Sequence, residues 1–185
     1  MTRVFVAVGS NINPEANLRA ALRALDRFAP VVAVSTVYRT RAEGPSGQPD
    51  FYNCVVELRT RTPPRALKFG VLRPIEAELG RRRSADKYAP RTIDLDLILH
   101  GRSVLEAEDL VLPDPQIPRR PFLAIPLAEL APGLLRPGAR RRVGERALRP
   151  VRPASYGMRP LRACTDRLRA DVLHARGHVR GKTAS

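Results

Sequence analysis

A chain of 185 residues, 43% of them hydrophobic, can bury one core but not several, so a single domain or a domain with an appendage is expected. The net charge of +15 would suggest a nucleic-acid partner if it were evenly spread, but residues 136–185 hold 14 of the 33 Lys/Arg and only 3 of the 18 Asp/Glu. No apolar run is long enough to cross a bilayer, the start lacks a signal-peptide profile, and two distant cysteines suggest neither a disulfide framework nor a metal site, so a soluble cytoplasmic protein is expected.

Val4 to Val8 reads as a buried strand that leaves into the turn Gly9-Ser10-Asn11. Asn13 then stands as an N-cap before Pro14 and Glu15, and Leu18, Ala21, Leu22, Leu25 and Phe28 form a helical stripe ended by Pro30. Val31 to Tyr38 is a second strand, followed by the loop Arg39 to Asp50, whose length and Gly/Pro content suit a substrate lid. Phe51 to Leu58 resumes a strand, and Thr62-Pro63 opens a second helix with Ala66, Leu67, Val71, Ile75 and Leu79 as its buried stripe. Pro74 falls inside that helix and should kink or split it.

From Thr92 to Leu99 apolar residues alternate with acids, so a strand here turns Ile93, Leu95, Leu97 and Leu99 to one face and Asp94, Asp96 and Ile98 to the other. Residues two apart on a strand are roughly 6.5 Å apart, so two carboxylates can converge on metal ions about 3.5–4 Å apart. Oxygen ligands of this kind suit Mg²⁺, which is held by one or two carboxylates together with substrate phosphates. Alone, Asp-x-Asp is more often an exposed strand face. Here Arg81, Arg82, Arg83 and Arg91 adjoin it, and guanidinium groups bind phosphate oxygens bidentately, so the neighbourhood points to phosphoryl chemistry.

His100 to Ser103 looks like a hairpin turn, Pro113 to Phe122 is a proline-rich basic loop, and Leu123 to Leu130 returns as a short helix. Strand, helix, strand, strand, helix, strand is the order of an α+β, ferredoxin-like antiparallel sheet with helices packed on one face. The domain is expected over residues 1–135. Residues 136–185 form a basic Pro/Arg-rich tail, mostly disordered, with a helix over 160–176 marked by Leu161, Cys164, Leu168 and Val172.

The motifs Gly9-Ser10-Asn11, Tyr38-Arg39-Thr40, Gln48 to Asn53, Ile75-Glu76, Gly80 to Arg83, Pro90 to Asp96 and Arg120-Pro121-Phe122 occur in this order. Together they make the chain resemble the 6-hydroxymethyl-7,8-dihydropterin pyrophosphokinase family over about residues 3–135. The resemblance implies transfer of pyrophosphate from ATP to the hydroxymethyl pterin, releasing AMP, in folate biosynthesis. It also implies that Asp94 and Asp96 bind two Mg²⁺ ions, with Arg81 and Arg91 completing the catalytic set. Glu76, Arg81, Arg83, Tyr88, Arg91, Asp114 and Arg120 correspond to the ATP site. Asn53 corresponds to the residue that binds the pterin edge, Phe51 and Phe122 to the aromatics that sandwich its ring, and Thr40 to the same pocket. Arg82 keeps the reading of a solvated surface charge.

Three positions depart from the family pattern. Asp114 stands where a histidine is usual near the ATP phosphates, Tyr88 replaces a tryptophan in the arginine loop, and Arg41 replaces a loop proline, which should loosen the lid. The expected partners are two small molecules, acting on a monomer without membrane or nucleic acid, although the basic tail leaves weak nucleic-acid binding open. Two rivals stand beside this reading. An RNA-binding module shares the element order but would leave Asp94 and Asp96 unexplained, and a different Mg²⁺-dependent phosphotransferase would draw on Asp114.

Overall fold

The computed structural model describes residues 1–42, 47–83, 86, 88–133 and 153–173. Its elements are β1 (Thr2–Ser10), α1 (Pro14–Phe28), β2 (Val31–Val34), β3 (Tyr38–Thr40), β4 (Phe51–Thr60), α2 (Pro64–Leu67), α3 (Arg73–Glu78), β5 (Asp94–His100), β6 (Leu105–Ala107), β7 (Leu110–Leu112), α4 (Pro121–Leu130), β8 (Arg159–Pro160) and α5 (Arg162–Leu173).

All strand pairings are antiparallel, and the main sheet runs β5-β1-β4-β3-β8 with β2 also on β4. The first strand therefore lies between the last and the third, with the second outside, which is the α+β ferredoxin-like arrangement. β2 and β3 are the two halves of the single strand expected over Val31 to Tyr38. The β6–β7 hairpin stands apart as a second small sheet.

Alternation along β1 divides the core into two layers. Val4, Val6 and Val8 join Leu18, Leu22 and Leu25 of α1, with Leu67, Leu72 and Ile75 of the second helical segment. Phe5 and Ala7 join Leu123 and Leu127 of α4 on the opposite face. The helices of the ferredoxin-like unit thus share one face, and α4 adds a cover to the other.

Two local features differ from the sequence pattern. Phe5 pairs with Leu99 and Val6 with Leu97, so Ile98 is an extra residue in the ladder. This β-bulge reverses the alternation beyond it, placing Leu99 in the α4 layer rather than beside Leu97. In the second helix, the turn before Pro74 changes type. A π turn at Lys68–Leu72, closed by Arg73 N–H to Lys68 O, joins α2 to α3. The wider turn accommodates a proline that has no N–H and crowds the carbonyl of Gly70. Asn13 is the N-cap residue of α1 but adopts a left-handed conformation, φ 42°, without a side-chain cap.

Part of the expected tail is built into the sheet. β8 pairs with β3, and Cys164, Leu168 and Val172 of α5 are buried in the α1 layer. Arg167 pairs with Glu15, and Arg19 with Asp171. The expected helix over 160–176 is found at Arg162–Leu173. The rest of the 136–185 segment lies outside the described residues, apart from the short turn Pro153–Tyr156 and the links around β8.

Candidate active site

Because paired residues in a sheet share a face, register places the candidate side chains. Asp94 pairs with Gly9, Gly9 with Asn53, and Asn53 with Tyr38. One step inward Asp96 pairs with Ala7, and Ala7 with Val55. Both acids therefore project on the α4 side, as the alternation requires, while Leu95 and Leu97 anchor the strand in the opposite layer. Phe51 and Thr40 pair at the end of β4 and β3 on the same face as Asn53.

α4 stops short of this end of the sheet and leaves a cavity of about 290 Å³, at the small end of the roughly 300–1,000 Å³ typical of ligand pockets. It is lined by Gly9, Thr40, Arg41, Phe51, Asn53, Tyr88, Arg91, Asp94, Asp96, Arg120 and Phe122, among others. The four residues expected on the pterin side and both acids thus face one space. A second recess, about 240 Å³, is lined by Arg81, Arg82, Arg83, Asp86, Ala89, Pro90 and Arg91. Arg91 belongs to both.

Ion pairing orders the boundary between the recesses. Arg81 Nη1 lies 2.6 Å from Asp94 Oδ1, and Arg91 Nη1 lies 2.7 Å from Asp94 Oδ2. Arg91 also approaches the Phe51 ring, 5.8 Å from its centre, and Arg120 the Phe122 ring at 5.4 Å. Asn11 holds this segment from below. Its Oδ1 accepts Arg91 N–H at 2.8 Å, and its Nδ2 donates to Pro49 O at 3.2 Å, tying both flanking loops to β1.

Glu76 takes a place that its sequence position does not reveal. It is buried in α3 and lines neither recess, while its Oε1 accepts Leu95 N–H at 2.9 Å and its Oε2 accepts from Arg83 at 2.7 Å. The Leu95 N–H lies between the two acids on the edge of β5 away from β1, so Glu76 closes the exposed side of that strand. Burial raises its pKa, opposed by the Leu95 N–H and by Arg81 and Arg83.

Asp114 likewise lines neither recess. Its N–H donates to Ile98 O at 3.0 Å and its Oδ1 accepts Gln116 N–H at 2.7 Å, an Asx turn pinned to the bulge. Burial raises its pKa as well. Asp96 opens to the cavity, yet the surrounding walls and the charges of Asp94, Asp114 and Glu76 push its pKa up to about 7.

The donor set fits Mg²⁺. Two carboxylates share a face, and among the described residues no group of three or more His, Cys, Asp or Glu is placed to hold a metal, so most ligands would come from substrate oxygens and water. Asp94 would exchange one guanidinium contact to take part. Arg41, marked in the sequence only as standing in place of a loop proline, is a cavity residue, a role that its adjacency to Thr40 could have signalled. The Arg39–Asp50 loop expected as a substrate lid and the arginine loop over residues 81–89 fall partly outside the described residues.

Similarity to known proteins points to one family. A family model described as 7,8-dihydro-6-hydroxymethylpterin-pyrophosphokinase matches residues 5–132. The 2-amino-4-hydroxy-6-hydroxymethyldihydropteridine pyrophosphokinase of Pseudomonas aeruginosa is 41% identical over 141 residues, 75% of this chain and 86% of that protein. The enzymes of the same name from Haemophilus influenzae and Synechocystis sp. are 35% identical over 142 residues and 44% identical over 136, covering 88% and 68% of their lengths and 75% and 71% of this chain.

Proposed function

Since the chain belongs to the 7,8-dihydro-6-hydroxymethylpterin-pyrophosphokinase family, whose members act in folate synthesis with ATP as donor, we propose that the cavity on the α4 face is where it transfers pyrophosphate to the pterin hydroxymethyl group. The observation that carries this reading is the convergence of Asp94, Asp96, Arg91 and Asn53 on one face and in one space. The hydroxymethyl oxygen gives up its proton to solvent and attacks the β-phosphorus, the bond between that phosphorus and the α–β bridging oxygen breaks, and AMP leaves with that oxygen.

Each part of the site has a physical role. Phe51 and Phe122 offer apolar faces to the planar ring, and Asn53, whose Nδ2 donates to Thr40 Oγ1 at 2.8 Å, presents its amide to the polar edge. Arg81, Arg83 and Arg91 hold the phosphates, and Arg120 and Tyr88 close the ATP side. Asp94 and Asp96 would hold two Mg²⁺ ions, which would neutralise the triphosphate and favour ionisation of the attacking hydroxyl. Glu76 keeps the arginines and β5 in register from beneath. Asp114 acts through the loop it anchors. Holding the two reactants in line in a site that excludes water supplies most of the rate.

On this reading the chain works as a monomer in the cytoplasm on two small molecules and needs no nucleic acid. No helix among the described residues is long and apolar enough to cross a membrane. The test is AMP release from ATP and Mg²⁺ with and without 6-hydroxymethyl-7,8-dihydropterin. Pterin-dependent AMP that vanishes in Asp96→Ala supports the reading, and a folded protein that forms none overturns it.

A further inference from the structure

The family match ends at residue 132, yet a segment beyond it lies against the wall of the cavity. Met158 is 2% exposed and forms one apolar cluster with Tyr38 of β3 and Ile125 of α4, on which Phe122 packs. Immediately after it β8 pairs with β3, Arg159 opposite Arg39 and Pro160 opposite Tyr38. Leu161 N–H donates to Val37 O at 2.8 Å, and Thr165 Oγ1 accepts Val37 N–H at 2.9 Å. Three successive residues, Val37 just before β3 and Tyr38 and Arg39 within it, are thus tied down by the C-terminal segment.

Those ties bear on the cavity through two of its walls. Tyr38 pairs with Asn53, and Thr40, which accepts the Asn53 amide, is the last residue of β3. Phe122 enters the cavity at the start of α4 with Met158 in the cluster behind it. Removing the Met158 side chain opens a void in that cluster, and neighbouring side chains relax into such voids. Phe122, only partly buried, is free to retreat.

We propose that Met158 is a positioning residue for substrate recognition, holding Phe122 and the Tyr38–Thr40 strand against the ring face of the pterin. The basic C-terminal segment thereby contributes a structural wall to the pterin subsite. This rests on the assignment of that subsite to the α4 cavity.

The test compares Met158→Ala with Leu168→Ala, a similar truncation on the same segment that faces the α1 layer instead. Equilibrium binding of 6-hydroxymethyl-7,8-dihydropterin is measured by its own fluorescence, with Mg²⁺ and a non-hydrolysable ATP analogue present, beside binding of the analogue alone and thermal unfolding. Met158→Ala should weaken pterin binding about five- to tenfold with analogue affinity unchanged, and Met158→Leu should restore it. Leu168→Ala should lower the unfolding temperature at least as much and leave pterin affinity within twofold. Equal pterin effects in the two alanine variants, or an unchanged pterin affinity in folded Met158→Ala, would overturn the proposal. Wild-type protein that binds the pterin but forms no AMP would sink the transfer reaction and leave the wall standing, whereas wild-type protein that binds no pterin would remove both.

Discussion

Gly9 passes so close beneath Asn53 that a β-carbon on it would stand 2.6 Å from Asn53 Oδ1. The glycine is required here by proximity and not by its backbone angles, since it lies within the regular β1–β4 ladder. Gly9→Ala should push the Asn53 amide from its place over β1 and strain its bond to Thr40. The expected result is a tenfold or greater rise in KM for the pterin, about 1.4 kcal/mol, with affinity for an ATP analogue unchanged. Steady-state kinetics with each substrate varied in turn, beside analogue binding, decides this.

The two acids should respond in opposite ways to loss of charge. Asp94→Asn leaves Arg81 and Arg91 without their shared counter-charge, and the apo protein should lose about 1–3 kcal/mol. Asp96 has no such partner among the described residues, and the acids Asp94, Asp114 and Glu76 oppose its charge more than Lys68 favours it, so Asp96→Asn should leave apo stability equal or higher at pH 8. Both substitutions should abolish pterin-dependent AMP formation. Urea unfolding beside the activity assay separates these effects.

The raised pKa of Asp96 also sets a pH dependence. With an ordinary value of 3.8 and a folded value of about 7, the folded apo protein holds more protons than the unfolded chain between these limits. This group therefore favours the folded state less as pH rises from about 4 through 7, and the penalty is complete above 7. Mg²⁺ binding runs the other way, strengthening through pH 7 with release of up to one proton. Calorimetric titration of Mg²⁺ with an ATP analogue, in buffers of different ionisation enthalpy, should detect that proton in wild type and lose it in Asp96→Asn.

Glu76→Ala should cost stability as well as activity. It orphans the Leu95 N–H between the two acids and releases Arg83, a loss of about 1–3 kcal/mol from the unpaired donor alone. Glu76→Gln retains an oxygen for Leu95 and should recover part of the stability while weakening the arginine contacts. Unfolding free energies for the pair of variants test whether the strand contact or the arginines dominate.

The element order and the face carrying Asp94 and Asp96 were legible in the sequence, because period-two alternation and short turns are local signals. The bulge was not. Leu97, Ile98 and Leu99 are apolar throughout, so nothing in the pattern marks where the faces exchange. Glu76 sits at a position that reads as one more acid in an amphipathic helix, and only the fold shows that an open strand edge lies opposite it. Around Met158, a composition rich in Arg and Pro hid the buried methionine and the short strand that follows it, because their partners, Ile125 of α4 and Tyr38 and Arg39 of β3, lie on other elements far earlier in the chain.

The bulge at Ile98 reaches further than its own strand. Its carbonyl accepts the Asp114 N–H, and the chain then runs from that turn to Arg120 and Phe122 within a few residues. A perfectly regular β5 could pair with β1 just as fully, with Ile98 rather than Leu99 opposite Phe5. What it would lack is a mooring for the segment that delivers one of the two aromatic jaws. The alignment of that jaw is thus inherited from a misfit in the ladder, two residues beyond Asp96.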